Sequence, residues 1–301
     1  MDRKSYNEKY NETFFDRETG EYRYRYPHAS LTADCVVFGF DGKSLKLLLV
    51  ERGFEPYKGM WALPGGFIKV AAATDGEFDK SIEETAKREL REETSLSDVF
   101  LQQFKVFSKF DRDPRERVIT VAFIALVSPC NYQKTVASTV AGDDASNAMW
   151  WDEDSLPPLA FDHADIIREA KEYLADMIRV KPVAFNLLDS TFTLSELQNV
   201  YEAITGKNFD RRNFQRKAMQ SGLINEVSGF DQVFHNTVTE HMPECSVSGL
   251  LEDSEVTDES IMPEKRISPR KRKKFFTFRN KQVSDIDDTN EEGSIKDLFN
   301  F

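Results

Sequence analysis

The stretch GGFIKVAAATDGEFDKSIEETAKRELREETSL, residues 65–96, decides the fold. Its second half is a dense helix signal. Ser81 followed by Glu84 has the spacing of a capping box and predicts a helix that starts near Ser81. Ile82, Ala86 and Leu90 recur every fourth residue and supply a buried stripe. Glu89, Glu92 and Glu93 stand at i, i+3 and i+4, so their carboxylates share one side of that helix. Like charges so placed cost about 0.2–0.5 kcal/mol per pair. A hard cation reverses that sign, because Mg²⁺ takes oxygen ligands from one or two carboxylates together with substrate phosphates. Taken alone, the cluster reads as a solvated acidic helix face.

The surroundings change the weighting. A strand-like run, Leu47 to Val50, precedes the turn GMWALPGG. In that setting the stretch resembles the Nudix box: Gly, five residues, Glu, seven residues, then Arg-Glu-aliphatic-any-Glu-Glu-any-Gly-aliphatic. The chain supplies Gly66, Arg88, Glu89, Leu90, Glu92, Glu93 and Leu96. Three departures stand out. Ser95 replaces the second Gly, Lys80 stands where the isolated Glu should fall, and Arg88 lies 22 residues beyond Gly66, so the first half carries an insertion. Glu77, after Gly76, is a candidate substitute for the missing Glu. The resemblance implies a Nudix-type α/β/α sandwich with a mixed sheet. It also implies Mg²⁺ held by Glu89, Glu92 and Glu93, with Glu92 and Glu93 as the catalytic pair if the box still turns over.

Composition bounds the rest. A chain of 301 residues suggests about two domains plus tails, and 40% hydrophobic residues suffice for a core. The net charge of −12 argues against coating nucleic acid with the whole surface. Cys35, Cys130 and Cys245 are scattered without metal-ligand spacing, which fits reduced cytosolic thiols. The N-terminus lacks an apolar signal core, and the longest apolar run, Val118 to Val127, is too short to span a bilayer. The expectation is a cytoplasmic protein with no membrane partner.

Four parts follow: an N-terminal arm over 1–28, an α/β domain over 29–160 built on DCVVFGF, LKLLLV and RVITVAFIALV, a mostly helical part over 161–245, and a charged tail over 246–301 expected to lack structure. In the α/β domain, Arg52, Arg112, Arg115 and Arg117 sit near strand ends, where guanidinium forks can meet phosphates. Trp61 and Phe110 can stack on a base or ribose. Singly, each has an ordinary reading, a solvated charge or a core plug. Together with Glu89, Glu92 and Glu93 they resemble the nucleotide-diphosphate cleft of Nudix proteins, which implies Gly66 and Arg88 as further ligand contacts.

In the helical part, FDHADIIREAKEYLADMI (161–178) reads as a linking helix with Ile166, Ile167, Ala170, Tyr173, Leu174, Met177 and Ile178 on one face. FTLSELQNVYEAITG (192–206) opens on a Thr193–Glu196 capping box and closes at Gly206. KNFDRRNFQRKAMQSGLI (207–224) has Asp210 as N-cap, and Phe214 and Ala218 face inward. Arg211, Arg212, Asn213, Arg216, Lys217 and Gln220 are left on its outer face. Two helices joined by a short turn, the second basic, describe a helix-turn-helix. INEVSGFDQVFHNT (224–237) reads as a wing with Gly229 at its tip. A solvated helix of a small bundle is the competing reading.

The order of parts favours the first reading. It closely resembles bacterial Nudix-related transcriptional regulators, in which a Nudix sensor is fused to a C-terminal winged helix-turn-helix. That resemblance implies a homodimer, a double-stranded DNA operator and a small effector, ADP-ribose-like or a sugar. A working Nudix pyrophosphohydrolase of nucleoside diphosphate derivatives is the alternative. Lys265 to Lys281 holds nine basic residues and no acidic ones. It reads equally as a nonspecific phosphate-binding arm or as a polyampholyte folded on its acidic flanks.

Overall fold

The computed structural model describes residues 13–16, 21–24, 27–70, 78–133, 135, 148–227 and 274–279. They fall into two compact units, the first ending at Asp176 and the second running from Met177 and including Phe40–Ser44 and Ser128–Lys134. The helix expected to link two domains therefore belongs, for most of its length, to the first.

The first unit opens with a hairpin, β1 (Thr13–Asp16) against β2 (Glu21–Tyr24). The main sheet has seven strands. β3 (Ser30–Phe40), β4 (Leu45–Glu51), β5 (Trp61–Ala62), β7 (Phe100–Phe107) and β8 (Val118–Val127) take the order β5-β4-β3-β8-β7. β6 (Gly65–Phe67) pairs with β3, and β9 (Ala148–Asp152) pairs with β4. β3 and β8 run parallel from Ser30↔Val118 to Gly39↔Val127, while β7 is antiparallel to β8. The sheet is mixed, as expected. β3, β4 and β8 are near-continuous apolar runs because both of their faces are covered, and Val36, Phe38, Leu47, Leu49, Ile124 and Leu126 are fully buried.

Helix α1 (Ile82–Thr94) begins at Ser81, whose hydroxyl accepts the Glu84 N–H at 3.2 Å. The reciprocal half of the box differs from expectation, since Glu84 reaches back one residue further, to the N–H of Lys80 at 2.7 Å. Ala86 and Leu90 are buried, and Ile82 is half-buried. Ser95 caps the C-terminus at φ 58, the left-handed region, which explains why the Nudix pattern prefers Gly there.

α2 (His163–Met177) buries Ile166, Ile167, Ala170 and Leu174 as its periodicity predicts. Tyr173 does not join them. It is exposed and lies against Phe104 of β7 with ring centroids 5.7 Å apart.

In the second unit, α3 (Leu194–Thr205) carries both halves of the Thr193–Glu196 capping box and ends at Gly206 with φ 66. α4 (Arg211–Gln220) starts at Asp210, which accepts the Asn213 N–H at 2.8 Å. Phe214 locks the pair, its ring centroid 5.7 Å from Tyr201 and 5.9 Å from Phe209.

Of the segment expected to form the wing, only residues 224–227 are described. β10 (Ile224–Glu226) pairs antiparallel with β11 (Phe276–Phe278), which lies inside the supposed tail. Phe276 also exchanges backbone hydrogen bonds with Phe192 at 2.8 and 3.0 Å, an isolated bridge on the other side of β11 from β10. Its apolar alternation accounts for this. Phe276 is buried, and Phe278 stacks on Phe185 with centroids 4.4 Å apart. Gly229, Cys245, and the tail and basic run apart from 274–279 lie outside the described residues.

Among the described residues no helix is long and apolar enough to cross a membrane. Among the described residues Cys35 and Cys130 take part in no disulfide.

Candidate functional site

The first unit holds a cleft of about 480 Å³ between the end of β4, the β5–β6 turn, the start of β8 and the head of α2. One wall carries carboxylates and the other guanidinium groups, and both follow from the backbone that presents them.

The acidic wall rests on a close approach between β6 and α1. A Cβ on Gly66 would lie 2.3 Å from Glu89 Oε1, and one on Gly65 would lie 2.2 Å from the Ala33 carbonyl. Only glycine lets β6 lie this close. The Gly65 N–H then donates to Glu93 Oε2 at 2.9 Å. Burial, with the charges of Glu89 and Asp34 adding to it, pushes the Glu93 carboxyl up to about 7 against the pull of that N–H. Glu89 is raised as well, again by burial. Burial also pushes Glu92 upward, but its bonds to Lys69 and Arg88 prevail and hold it below the ordinary range.

Arg88 organises these acids from behind the cleft. Its Nη1 donates to Glu89 at 2.7 Å and to Glu92 at 3.0 Å, and its Nη2 to the Phe67 carbonyl at 3.0 Å. Its remaining donors grip Asp79 in a fork, Nε at 3.0 Å and Nη2 at 2.9 Å. Asp79 is thus the acid paired with the arginine of the box. Counting back from Arg88 lands on Lys80, one residue away, because the insertion shifts the register. Arg88 holds the Asp79 carboxyl down at about 2. Glu77 lies outside the described residues.

Of the three glutamates expected to hold Mg²⁺, Glu89 and Glu92 are bonded to Arg88 and Glu93 to the Gly65 N–H. Among the described residues no group of three His, Cys, Asp or Glu side chains is arranged to hold an ion. Glu92 and Glu93 line the cleft, whereas Glu89 and Arg88 do not.

The basic wall is built differently. Arg112 is buried, donating to Asp162 at 2.8 and 3.1 Å and to Asp34 at 3.2 Å. It is a structural cation of the cleft wall. His163 accepts the Leu63 N–H on Nδ1 at 2.9 Å, which places its own proton on Nε2, 3.9 Å from Asp34. Burial lowers the His163 pKa, in keeping with a neutral ring.

Arg52 and Arg115 face the opening. Arg115 is gripped by Asp113 at 3.0 and 2.8 Å and lies over the Phe67 and Phe161 rings. Arg52 lies over Phe161 and donates to the Pro56 carbonyl at 2.8 Å.

Four residues expected to touch ligand are absent from the cleft wall: Arg88, which lies behind it, and Trp61, Phe110 and Arg117. Trp61 packs edge-on against Trp151 at 5.1 Å, because β5 turns its side chain toward β9. Phe110 is exposed, and Arg117 caps its ring at 5.5 Å, so the two satisfy each other at the surface.

Conversely, sequence reasoning missed Asp34, Phe67, Asp79, Asp113, Phe161, Asp162 and His163. FDH at the head of a helix signals the last group, since a polar and aromatic trio before an aliphatic stripe marks residues turned away from that stripe.

The second site is the outer face of α4. Arg216 donates to Gln220 at 2.9 Å and to Asn213 at 2.7 Å, which lays the guanidinium along the helix. Arg211 and Arg212 are exposed, and Lys217 is half-buried. All six expected residues are carried by one helix whose inner face is fixed by Phe214 and Ala218.

Residues 28–170 match the NUDIX domain, and residues 184–235 match the NrtR DNA-binding winged helix domain. The chain is 33% identical, over 67% of its length and 76% of the relative's, to an Acinetobacter baylyi protein named an ADPR responsive transcriptional repressor NtrR. The chain belongs to the NrtR family. Its members join a Nudix domain to a DNA-binding winged helix, as here. The crystal structure of Shewanella oneidensis NrtR complexed with a 27mer DNA is 34% identical and covers 67% of this NrtR-family chain and 90% of its own, with a TM-score of 0.57. An ADP-ribose pyrophosphatase of Methanocaldococcus jannaschii is 37% identical over 51% of this chain and 79% of its own. The winged helix match ends at residue 235, well before β11.

Proposed function

We propose that this NrtR-family chain is a DNA-binding transcriptional regulator gated by a nucleoside diphosphate of the ADP-ribose type. The observation that carries the reading is the juxtaposition of Arg52 and Arg115 at the mouth of a cleft in a chain that also carries the basic face of α4. Two adjacent guanidiniums match a diphosphate, whereas a plain sugar gives them nothing to neutralise. The names of the Acinetobacter and Shewanella relatives support both halves. As a homodimer the protein would set two α4 helices about 34 Å apart, one DNA turn, on a palindromic operator.

The test is a gel-shift series with the full chain and genomic fragments recovered by DNA pull-down, with and without ADP-ribose, across a salt range. ADP-ribose is expected to change DNA affinity. Arg212→Ala and Arg216→Ala should each weaken binding. Contact with a base edge gives a loss of about 1–3 kcal/mol confined to one operator position, and phosphate contact gives a uniform loss with a salt slope lower by about one. A double variant that binds DNA as the parent does, with the same salt slope, removes α4 from the interface.

One observation favours the pyrophosphohydrolase reading. Asp79 restores the acid opposite Arg88, so the box is better preserved than its sequence implies, and the Methanocaldococcus relative is named for that activity. Our expectation is still that ADP-ribose turnover with Mg²⁺ is negligible, because Arg88 occupies Glu89 and Glu92. Phosphate-release assays over a panel of nucleoside diphosphate derivatives check it. Turnover in the ordinary enzyme range of about 1–1000 s⁻¹ selects the hydrolase.

A further inference from the structure

Phe161 has features that the cleft's fold does not require. Its backbone lies at φ 53, a left-handed conformation that crowds a side chain carrying a Cβ. Surrounding structure enforces it. The Ala160 N–H donates to the Trp61 carbonyl at 2.8 Å just before it, and His163 and Asp162, just after it, are fixed on Leu63 and Arg112. A bulky residue held in this region of backbone space in a cleft wall points to function.

Its ring explains what the strain achieves. The Arg52 guanidinium lies 4.7 Å from the Phe161 centroid and that of Arg115 lies 5.8 Å from it, with Phe67 a further 5.2 Å from Arg115. The two cations feel each other. Burial first, and then the charge of Arg115, lowers the Arg52 pKa. Asp113 is hydrogen-bonded to Arg115, and the charges of Asp113, Glu93 and Glu55 oppose that lowering at Arg52, whose own hydrogen bonds go to the carbonyls of Pro56 and Phe54. Electron-rich ring faces add to these carboxylates in holding the two cations side by side.

We propose that Phe161 is a positioning residue for the effector: its aromatic face holds the Arg52 and Arg115 guanidiniums side by side so that together they grip a diphosphate. This rests on the reading of the cleft as a nucleoside diphosphate site, and it adds which residue sets the grip. A monophosphate, able to use one guanidinium, depends on it less.

The test is calorimetric titration of the full chain with ADP-ribose, inorganic pyrophosphate and AMP. Phe161→Leu keeps apolar bulk and loses the ring, and Phe161→Tyr keeps the ring. Phe67→Leu removes the outer, half-exposed ring at less risk to the fold. Phe161→Leu is expected to lose about five- to thirtyfold in affinity for ADP-ribose and pyrophosphate, the sum of two cation–aromatic interactions, and less for AMP. Phe161→Tyr should stay within about threefold of the parent, and Phe67→Leu should lose about half as much on a logarithmic scale. Equal melting temperatures for the Leu and Tyr variants exclude misfolding, and if Phe161→Leu melts early, Phe67→Leu decides. Affinities for ADP-ribose and pyrophosphate unchanged in Phe161→Leu overturn the proposal and leave the cleft reading standing. Pyrophosphate binding that needs the ring, without ADP-ribose binding, overturns the cleft reading and upholds the grip. Binding of neither by the parent overturns both.

Discussion

Arg88→Ala is expected to destabilise the first unit by about 3–5 kcal/mol, the usual cost of removing one member of a buried ion pair. Its side chain is 8% exposed and it is the shared partner of Asp79, Glu89 and Glu92. Removing it leaves Asp79 without its fork and strips Glu89 and Glu92 of a bonded guanidinium.

The pH dependence separates this account from simple loss of packing. Asp79 sits near 2 in the fold against an ordinary 3.8, so its contribution is present above about pH 4 and is lost as the pH falls toward 2. Arg88→Ala should flatten that acid limb of the melting curve. Glu93 runs the other way. Its folded pKa is raised to about 7 from 4.5, so the fold is favoured below 4.5 and loses stability as the pH rises through 7. Without Arg88, Glu89 loses the guanidinium that opposes its burial and adds to that decline, so the variant should regain stability as the pH falls from 7.5 to 5. Thermal melts of parent, Arg88→Ala and Asp79→Asn over pH 3–8 read both limbs. A variant with the parent's pH profile, merely displaced downward, would mean that Arg88 acts by bulk alone.

How far these features could be read from sequence depends on whether the signal is local. The caps at Thr193 and Asp210, the Gly206 stop and the inner face of α4 are set within a few residues of chain, and each stands as expected. The acid opposite Arg88 could not be found by counting, because an insertion changes the number of residues between two fixed points without changing the points. Trp61 and Phe110 are aromatic in the right neighbourhood, but the side to which a two-residue strand or a loop turns them is a tertiary fact. Phe161 to His163 belong to a site made by chain segments 50 to 130 residues apart, and sequence offered only their company with one another. β11 was hidden by its setting. Phe276-Thr277-Phe278 alternates as a strand should, yet it follows five consecutive basic residues in a segment of tail composition, and composition outweighed the short pattern.

That strand carries the other large expected effect. Phe276→Asp should abolish DNA binding by dismantling the winged helix while leaving the nucleotide cleft intact. Phe276 is 2% exposed, pairs through its backbone with Phe192 on one side and faces β10 on the other. Deleting a buried Phe side chain costs about 3–5 kcal/mol before any charge is added, a large share of the roughly 5–15 kcal/mol that holds a domain together. A carboxylate with no partner in that position adds its own desolvation cost. Calorimetric scanning should lose the transition of the second unit, and titration with ADP-ribose should remain as in the parent. The same reasoning changes what a truncation can mean. Cutting the chain at residue 264 removes the basic run but also β11, the strand paired with β10 and bridged to Phe192, so a failure to bind after such a cut does not assign DNA recognition to the basic run. Replacing the six basic residues from Lys265 to Lys273 by glutamine, with β11 kept, isolates charge from fold. If the run touches DNA, affinity falls uniformly across sequences and the salt slope drops by about one for each phosphate no longer neutralised. If it does not, the slope stays, and only Phe276→Asp abolishes binding. A Phe276→Asp protein that still binds its operator within about twofold of the parent would show that β11 is dispensable and that the wing is completed by another part of the chain.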